Sequence, residues 1–303
     1  MFRFIENKER PLIIPIFIPH LGCPNQCAFC NQKAVTGIKE PDPESIDKVV
    51  KDYLGWSKPR EKIEVSFFGG SFTAIEHELM MQFIKKGREL VEKGIIHTLR
   101  CSTRPDAVDD GVAEVLKKNG FQTVEIGAQS LSDRLLTKMN RGHLVDDIFK
   151  TISILKKHGI KAGAQFITGY PYETDNDVKE TISRLSELNP DFIRIYPFVP
   201  LPETEIAKEI ALGKVQSVDI EKAIDRSADL YIEAMENGIP VIRVGLPQSK
   251  DVPDIYPHNL SQVVIQKAIE KLAKNGEKEF ILPKKWITSF NVAKRNFSEI
   301  KRV

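Results

Sequence analysis

Strand-length apolar runs alternate with longer mixed segments along this chain. The runs are Leu12–Pro19, Ile63–Phe68, His97–Ser102, Thr123–Gly127, Ala162–Thr168 and Phe192–Phe198. Between them apolar residues recur at helical spacing. Ile46, Val49, Val50, Tyr53 and Leu54 mark one face, and Leu79, Met80, Phe83, Ile84, Leu90 and Val91 mark the next. Asp42-Pro43-Glu44 supplies a cap candidate, a proline at the first helical position and an acid in the first turn. Further helical patterns cover about 109–118, 132–158 (broken near Arg141-Gly142), 174–188 and 219–237. Six βα units with short connections predict an α/β fold, a parallel sheet with helices outside, curled into a full or partial barrel. Glu125 interrupts the fourth strand, either as a functional group or as a barrel-interior acid with a partner.

After the short run Pro240–Gly245 comes a loop containing Pro247, Pro253 and Pro257. A helical pattern at about 259–274, a short strand near Glu279–Leu282 and a basic tail follow. Two domains are therefore expected: a barrel over 1–245 and a small basic α+β extension over 246–303, packed on it.

Composition narrows the picture. With 303 residues, 41% hydrophobic and 28% charged, the chain has the make-up of a soluble globular protein. The first apolar run is broken by prolines and too short to span a bilayer, and no secretory leader pattern opens the chain. A cytoplasmic protein with no membrane association is the expectation; nothing in the chain indicates an oligomeric state. Net charge is +2, but Lys278–Val303 carries seven Lys or Arg against two acids. That tail includes Lys284, Lys285, Lys294, Arg295, Lys301 and Arg302, interleaved with Trp286, Phe290 and Phe297. It reads either as a phosphate-neutralising, base-stacking surface or as a solvated basic helix whose aromatics pack inward.

Four cysteines are too few for a disulfide scaffold. Three of them, Cys23, Cys27 and Cys30, fall within eight residues directly after the first strand, where ligands collect in parallel α/β folds. Three thiolates on a [4Fe–4S] cube leave one iron without a protein ligand. Structural zinc bound by the three cysteines and His20 is the competing reading. Cys101 stands alone in an apolar stretch as an inert buried thiol.

Cys-x3-Cys-x2-Cys with Phe29 before the last cysteine resembles the signature of the radical S-adenosylmethionine (SAM) superfamily. Other strand ends carry similar motifs. Gly69-Gly70-Ser71 resembles the family's Gly-Gly motif, which implies contact with the SAM amino group. Glu125-Ile-Gly127-Ala-Gln129-Ser130, with Arg141-Gly142-His143 twelve residues after Gln129, is similar in spacing to oxygen-independent coproporphyrinogen oxidases and the Elongator catalytic subunit. There the glutamine lies by SAM and the arginine pairs with its carboxylate, as suits a guanidinium fork. Gln165-Phe-Ile167-Thr-Gly169-Tyr-Pro171 resembles the family's turn beside adenine, which places Ile167 and, on the next strand, Tyr196 near that ring. Related oxidases carry an acid where Gln165 stands. Cys101-Ser102-Thr103-Arg104-Pro105-Asp106 also matches the Elongator-like pattern.

The resemblance, covering roughly residues 10–245, implies a partial (β/α)6 TIM-type barrel of the radical SAM kind. It implies an oxygen-sensitive enzyme with a [4Fe–4S] cluster on Cys23, Cys27 and Cys30 that reductively cleaves SAM to a 5′-deoxyadenosyl radical. Phe29, Gly69, Gly70, Ser71, Glu125, Gln129, Arg141, Ile167 and Tyr196 are the expected cofactor contacts, and a flavodoxin- or ferredoxin-type reductant the expected electron donor. The Elongator-like subgroup makes tRNA a candidate substrate. The residues after 245 are too few for the acetyltransferase domain that follows the barrel there, and Pro200-Leu201-Pro202 departs from its pattern. A porphyrin-like or other small molecule is the alternative substrate, and a zinc-stabilised binding module without turnover the alternative class.

Overall fold

Seven strands lie side by side in chain order: β2 (Leu12–Phe17), β3 (Ile63–Phe68), β4 (Thr98–Thr103), β5 (Phe121–Gln129), β6 (Lys161–Thr168), β7 (Phe192–Pro197) and β8 (Val241–Val244). They follow β1 (Phe2–Arg3) and precede β9 (Glu279–Ile281) and β10 (Lys301–Arg302), which form a separate sheet in the order β1-β9-β10. The computed structural model describes residues 1–5, 11–18, 21–24, 26–31, 42–246 and 252–303. Pro19, His20 and Pro247 lie outside the described residues.

The six expected strands are all present, and the short run after Pro240 adds a seventh. Its pairing with β7 is parallel, Ile195 opposite Val244. The segment from 132 to 158 splits into helices Asp133–Lys138 and Val145–Lys157, because Asn140 and Gly142 between them take left-handed backbone at φ 51° and 69°. Asp42 caps as expected, accepting from the Glu44 amide at 2.9 Å, but one 3-10 turn precedes the α-helix Ile46–Trp56.

The chain divides into two compact units. One comprises residues 8–128 and 139–164. Its strands β2 to β5 pair in parallel, with Ser66 opposite Arg100 and Ser102 opposite Glu125. Side chains alternate between two faces with the strand period. Val65, Phe67, Leu99, Cys101, Val124 and Ile126 are fully buried on one face. Phe67, Phe72, Phe83 and Phe121 interlock there, Phe67 and Phe72 stacked at 4.5 Å. The opposite face carries Glu64, Ser66, Arg100, Ser102 and Glu125, an unusually polar set for a buried surface.

The other unit comprises residues 1–7, 129–138 and 165–303. Helices Ile220–Glu236 and Leu260–Lys274 pack together in it, tied by Lys271 to Asp225 at 2.7 Å and Asp229 at 2.5 Å. The basic tail is ordered into helix Ile287–Asn296 and β10. Phe290 is buried against Phe280, whereas Lys284, Lys285, Lys294, Arg295, Lys301 and Arg302 are exposed. Among the described residues no helix is long and apolar enough to cross a membrane.

Candidate active site

The cysteine loop leaves β2 and is fixed from two sides. On one side two glycines interlock. A Cβ on Gly70 would stand 2.3 Å from the Leu21 carbonyl oxygen, and one on Gly22 would stand 2.3 Å from that of Ser71. Both have left-handed backbone, φ +55° and +69°, which glycine adopts without steric cost. The Ser71 amide then donates to Leu21 O at 2.8 Å, so the Gly69-Gly70-Ser71 turn is fastened to the chain entering the cysteine loop.

On the other side the segment after helix Asp133–Lys138 grips the cysteine turn. The Ala28 amide donates to Met139 O at 3.0 Å, and Asn140 Nδ2 donates to Gln26 O at 2.8 Å. The Cys30 amide closes the turn on Cys27 O at 3.1 Å, with Phe29 half-buried within it. Arg141 follows. Its guanidinium reaches Cys27 Sγ at 3.1 Å, Gly127 O at 2.6 Å and His143 Nε2 at 3.1 Å. Because Arg141 donates to Nε2, the imidazole is neutral with its proton on Nδ1, facing Leu144 O at 3.3 Å. Burial, reinforced by the Arg141 charge, pushes the His143 pKa down to about 4.

Cys23 and Cys30 are half-buried and Cys27 is buried; all three are free thiols. Burial pushes the Cys23 thiol up, and Cys27 adds to that; Arg104 and Arg141 pull in the other direction without overcoming it. A metal bound here must therefore displace protons, as thiolate ligation always requires. Among the described residues no three His, Cys, Asp or Glu side chains converge on one ion position. The proposed zinc ligand His20 lies outside the described residues. Cys101 is fully buried, and burial raises its pKa far above the ordinary thiol value, as befits an inert packing residue.

The remaining expected contacts fall into two groups. Ser71 shares the first unit with the cysteines, but its hydroxyl is bonded to Thr103 Oγ1 at 2.8 Å and accepts from the Arg104 amide at 3.2 Å. Glu125 is fully buried and meets Arg100 Nη1 at 2.8 Å. The sequence left this acid open between a functional and a partnered role; the structure supplies the partner. Gln129, Ile167 and Tyr196 belong to the second unit. Gln129 is buried with φ +68°, a left-handed conformation costly for a residue with a Cβ. Ile167 is buried and Tyr196 half-buried. The strand exit beyond Ile167 is held by Glu173, which accepts from the Gly169 amide and Arg226 Nη1, each at 2.7 Å.

Sequence reasoning missed Arg104. Its side chain is 4% exposed, Nε and Nη2 fork onto Asp106 at 2.9 and 2.8 Å, and Nη1 is buried with no hydrogen-bond partner. The signal was there in Arg104-Pro105-Asp106, a cation and an acid set two apart by a rigid residue just beyond a strand.

Against this geometry, residues 17–185 match the radical SAM superfamily, and residues 190–274 match the radical SAM C-terminal domain. The chain belongs to the radical SAM superfamily. It is 28% identical over 293 residues to an uncharacterised protein of Methanocaldococcus jannaschii, covering 90% of this chain and 87% of that one. It is 30% identical over 187 residues to a tRNA uridine(34) acetyltransferase of Methanocaldococcus infernus, covering 55% of this chain but only 35% of the relative. The solved structure of the archaeal Elp3 of M. infernus, lacking its N-terminal 46 residues, superposes with a TM-score of 0.67. That match has 21% identity and covers 88% of this chain and 65% of the other. The likeness shows the fold: α/β, of the partial TIM-barrel class expected. This radical SAM protein is an enzyme of that class.

The residues present suit the family's two cofactors. Three thiols on one clamped loop are the ligand set of a cluster with an open iron. A buried guanidinium edge lacking a partner and a close-approach glycine pair suit a small ligand carrying an anionic group.

Proposed function

We propose that this enzyme binds a [4Fe–4S] cluster through Cys23, Cys27 and Cys30 and reductively cleaves SAM beside it, acting on tRNA. The observation that carries the reading is the clamp on the cysteine turn, with Arg141 at 3.1 Å from Cys27 Sγ and the Gly22–Gly70 interlock opposite. When bound, the cluster supplies the low-potential electron that breaks the sulfonium C–S bond and yields a 5′-deoxyadenosyl radical and methionine.

The chain's own residues do the rest. The interlocked glycines and the Met139–Arg141 segment hold three sulfurs on one loop, so little backbone ordering remains to be done when the metal enters. Arg141, braced by neutral His143 and Gly127 O, places a guanidinium N–H against Cys27 Sγ and orients it on the loop. The glycine turn offers main-chain groups without a Cβ in the way, suited to the SAM ammonium group. Glu125 is assigned to the polar floor on β5. An external one-electron reductant completes the cycle, as the family generally requires.

The tRNA assignment draws support from the relative named for tRNA uridine(34) and from the exposed basic residues of the tail. Cations neutralise phosphates and release counterions, which makes the binding salt-dependent. The test is anaerobic reconstitution with iron and sulfide, then incubation with SAM, dithionite and total tRNA. Expected are 5′-deoxyadenosine release and a new nucleoside mass in digested tRNA. No 5′-deoxyadenosine after full iron loading sinks the radical reading. Release with unaltered tRNA sinks the substrate.

A further inference from the structure

The first unit is strongly basic at the end opposite the cysteine loop. The loop leaves the carboxyl end of β2, and at the amino ends of the strands beside it four helix-to-strand connections gather. These are residues 57–62 at β3, 93–97 at β4, 117–120 at β5 and 156–161 at β6, all within that one unit. Hydrogen bonds lace them into a single surface. The His97 amide donates to Ile63 O at 2.9 Å, the Leu99 amide to Gly120 O at 3.0 Å, and Lys117 Nζ to Gly159 O at 2.7 Å. Together the connections hold nine Lys or Arg against one acid, Glu61.

Part of that charge serves the helices. A lysine in a last turn complements the helix dipole, and Lys117, Lys118, Lys156 and Lys157 stand in such turns. Three cations are neutralised: Lys118 by Glu114 at 2.6 Å, Lys157 by Asp110 at 2.7 Å and Lys62 by Glu64 at 3.0 Å. Lys58, Arg60 and Lys93 are different. They are exposed and lie past the last turns of helices Ile46–Trp56 and His77–Glu92. Among the described residues they make neither an ion pair nor a hydrogen bond. Lys117 is exposed too, and its carbonyl partner leaves its charge uncompensated.

Beside these cations Trp56 ends its helix with 78% of its surface exposed, although tryptophan is ordinarily well buried. Tyr53 lies one turn back on the same helix face, its ring 6.1 Å from the indole and tilted 44° to it. The two rings make a short aromatic ledge that leads into Lys58. A protein interface or a bilayer requires a broad apolar surface, and one indole with one half-buried tyrosine does not supply it. An unpaired base requires only one ring to stack on, and the phosphates on either side of it meet the cations.

We propose that this end of the unit is an RNA-docking surface, on which Trp56 stacks with an unpaired base while Lys58, Arg60, Lys93 and Lys117 neutralise the flanking phosphates. The inference rests on the tRNA reading above and adds a contact surface away from the cysteine loop, one that supplies affinity and no chemistry.

The test is binding of total tRNA to the full chain at several salt concentrations. Wild type is compared with Trp56→Ala, Trp56→Phe and the double variant Lys58→Gln, Arg60→Gln, with indole fluorescence and unfolding midpoints recorded alongside. Trp56→Ala is expected to weaken binding about 5- to 100-fold, the range for losing one base–aromatic stack. Trp56→Phe keeps a ring and should recover part of the loss. The double variant should flatten the slope of log affinity against log salt by about 1.5, as for two phosphate contacts. Bound tRNA should quench the wild-type indole signal, and that quench should vanish in Trp56→Phe, in which Trp286 is the remaining indole. Midpoints should hold, because these side chains are exposed. A tRNA affinity for Trp56→Ala within about twofold of wild type overturns the inference. So does a salt slope that does not move in the double variant, or binding of phosphatidylglycerol vesicles through Trp56 with tRNA binding unaffected. If wild type binds tRNA and the variants bind equally, only the inference falls; if wild type binds no tRNA at low salt, the tRNA reading falls and this inference with it.

Discussion

Two buried arginines stand four residues apart, and they are satisfied very differently. Arg100, inside β4, lies between Glu64 and Glu125, with its guanidinium 2.8 Å from each carboxylate. Arg104, just past the end of the same strand, is forked by Asp106 and leaves Nη1 without a partner. Within the strand, neighbouring β3 and β5 bring side chains from both flanks at fixed register, so partners are available and the cation is enclosed. Past the strand end the ladder stops, and the groups that would have filled the remaining edge are missing. A buried charge with every edge filled is a structural tie, whereas one held rigidly with an edge open keeps hydrogen-bond capacity to spare.

That contrast can be broken by measurement, beginning with the largest effect. Arg100→Met leaves Glu64 and Glu125 facing each other, 1% and 0% exposed, with their shared cation gone. A loss of about 3–5 kcal/mol is expected in urea unfolding, the range for stranding a buried charge. A loss below about 1 kcal/mol would mean the interior rehydrates, and the tie would not be structural.

Next comes His143, the neutral ring that braces Arg141. Its folded pKa of about 4 lies below the ordinary ~6.5, so on acidification the unfolded chain takes up the proton first. The stability it contributes is complete above pH 6.5 and drains away as pH falls through 4, by up to about 3 kcal/mol. Unfolding midpoints across that window should fall more steeply for wild type than for His143→Gln, which can still accept from Arg141. Parallel profiles would remove the histidine from the account.

The smallest effect is on the stability of Arg104→Met. Asp106 has a side chain 31% exposed and can rehydrate, so a change of about 1 kcal/mol or less is expected, against the large loss at Arg100. A loss as large as that for Arg100→Met would erase the distinction between the two.

Much of this was legible in the chain. Ile63–Phe68 was bounded correctly because its apolar run ends at a glycine pair; the cap, proline and acid at Asp42-Pro43-Glu44 marked the 3-10 turn that leads into the helix Ile46–Trp56. The break inside 132–158 was visible at Arg141-Gly142, although not its use as the clip on the cysteine turn. The sheet β1-β9-β10 was not legible: its two-residue outer strands carry no period, and they pair with a segment far away in sequence. The role of Gly22 was hidden too, since only the Ser71 carbonyl 2.3 Å from its missing Cβ makes a glycine necessary there.

The sequence alone determined the parallel α/β alternation, the family, and the three-cysteine loop with its supporting strand-end motifs. These are local properties, set by side-chain period, turn chemistry and spacing. Tertiary structure alone decided which charges are saturated. Glu125 became the partner of Arg100, Arg141 the partner of Cys27, and Arg104 the guanidinium with an edge to spare. Hydrogen-bond capacity is spent between segments distant in sequence, and only the folded chain shows where some is left.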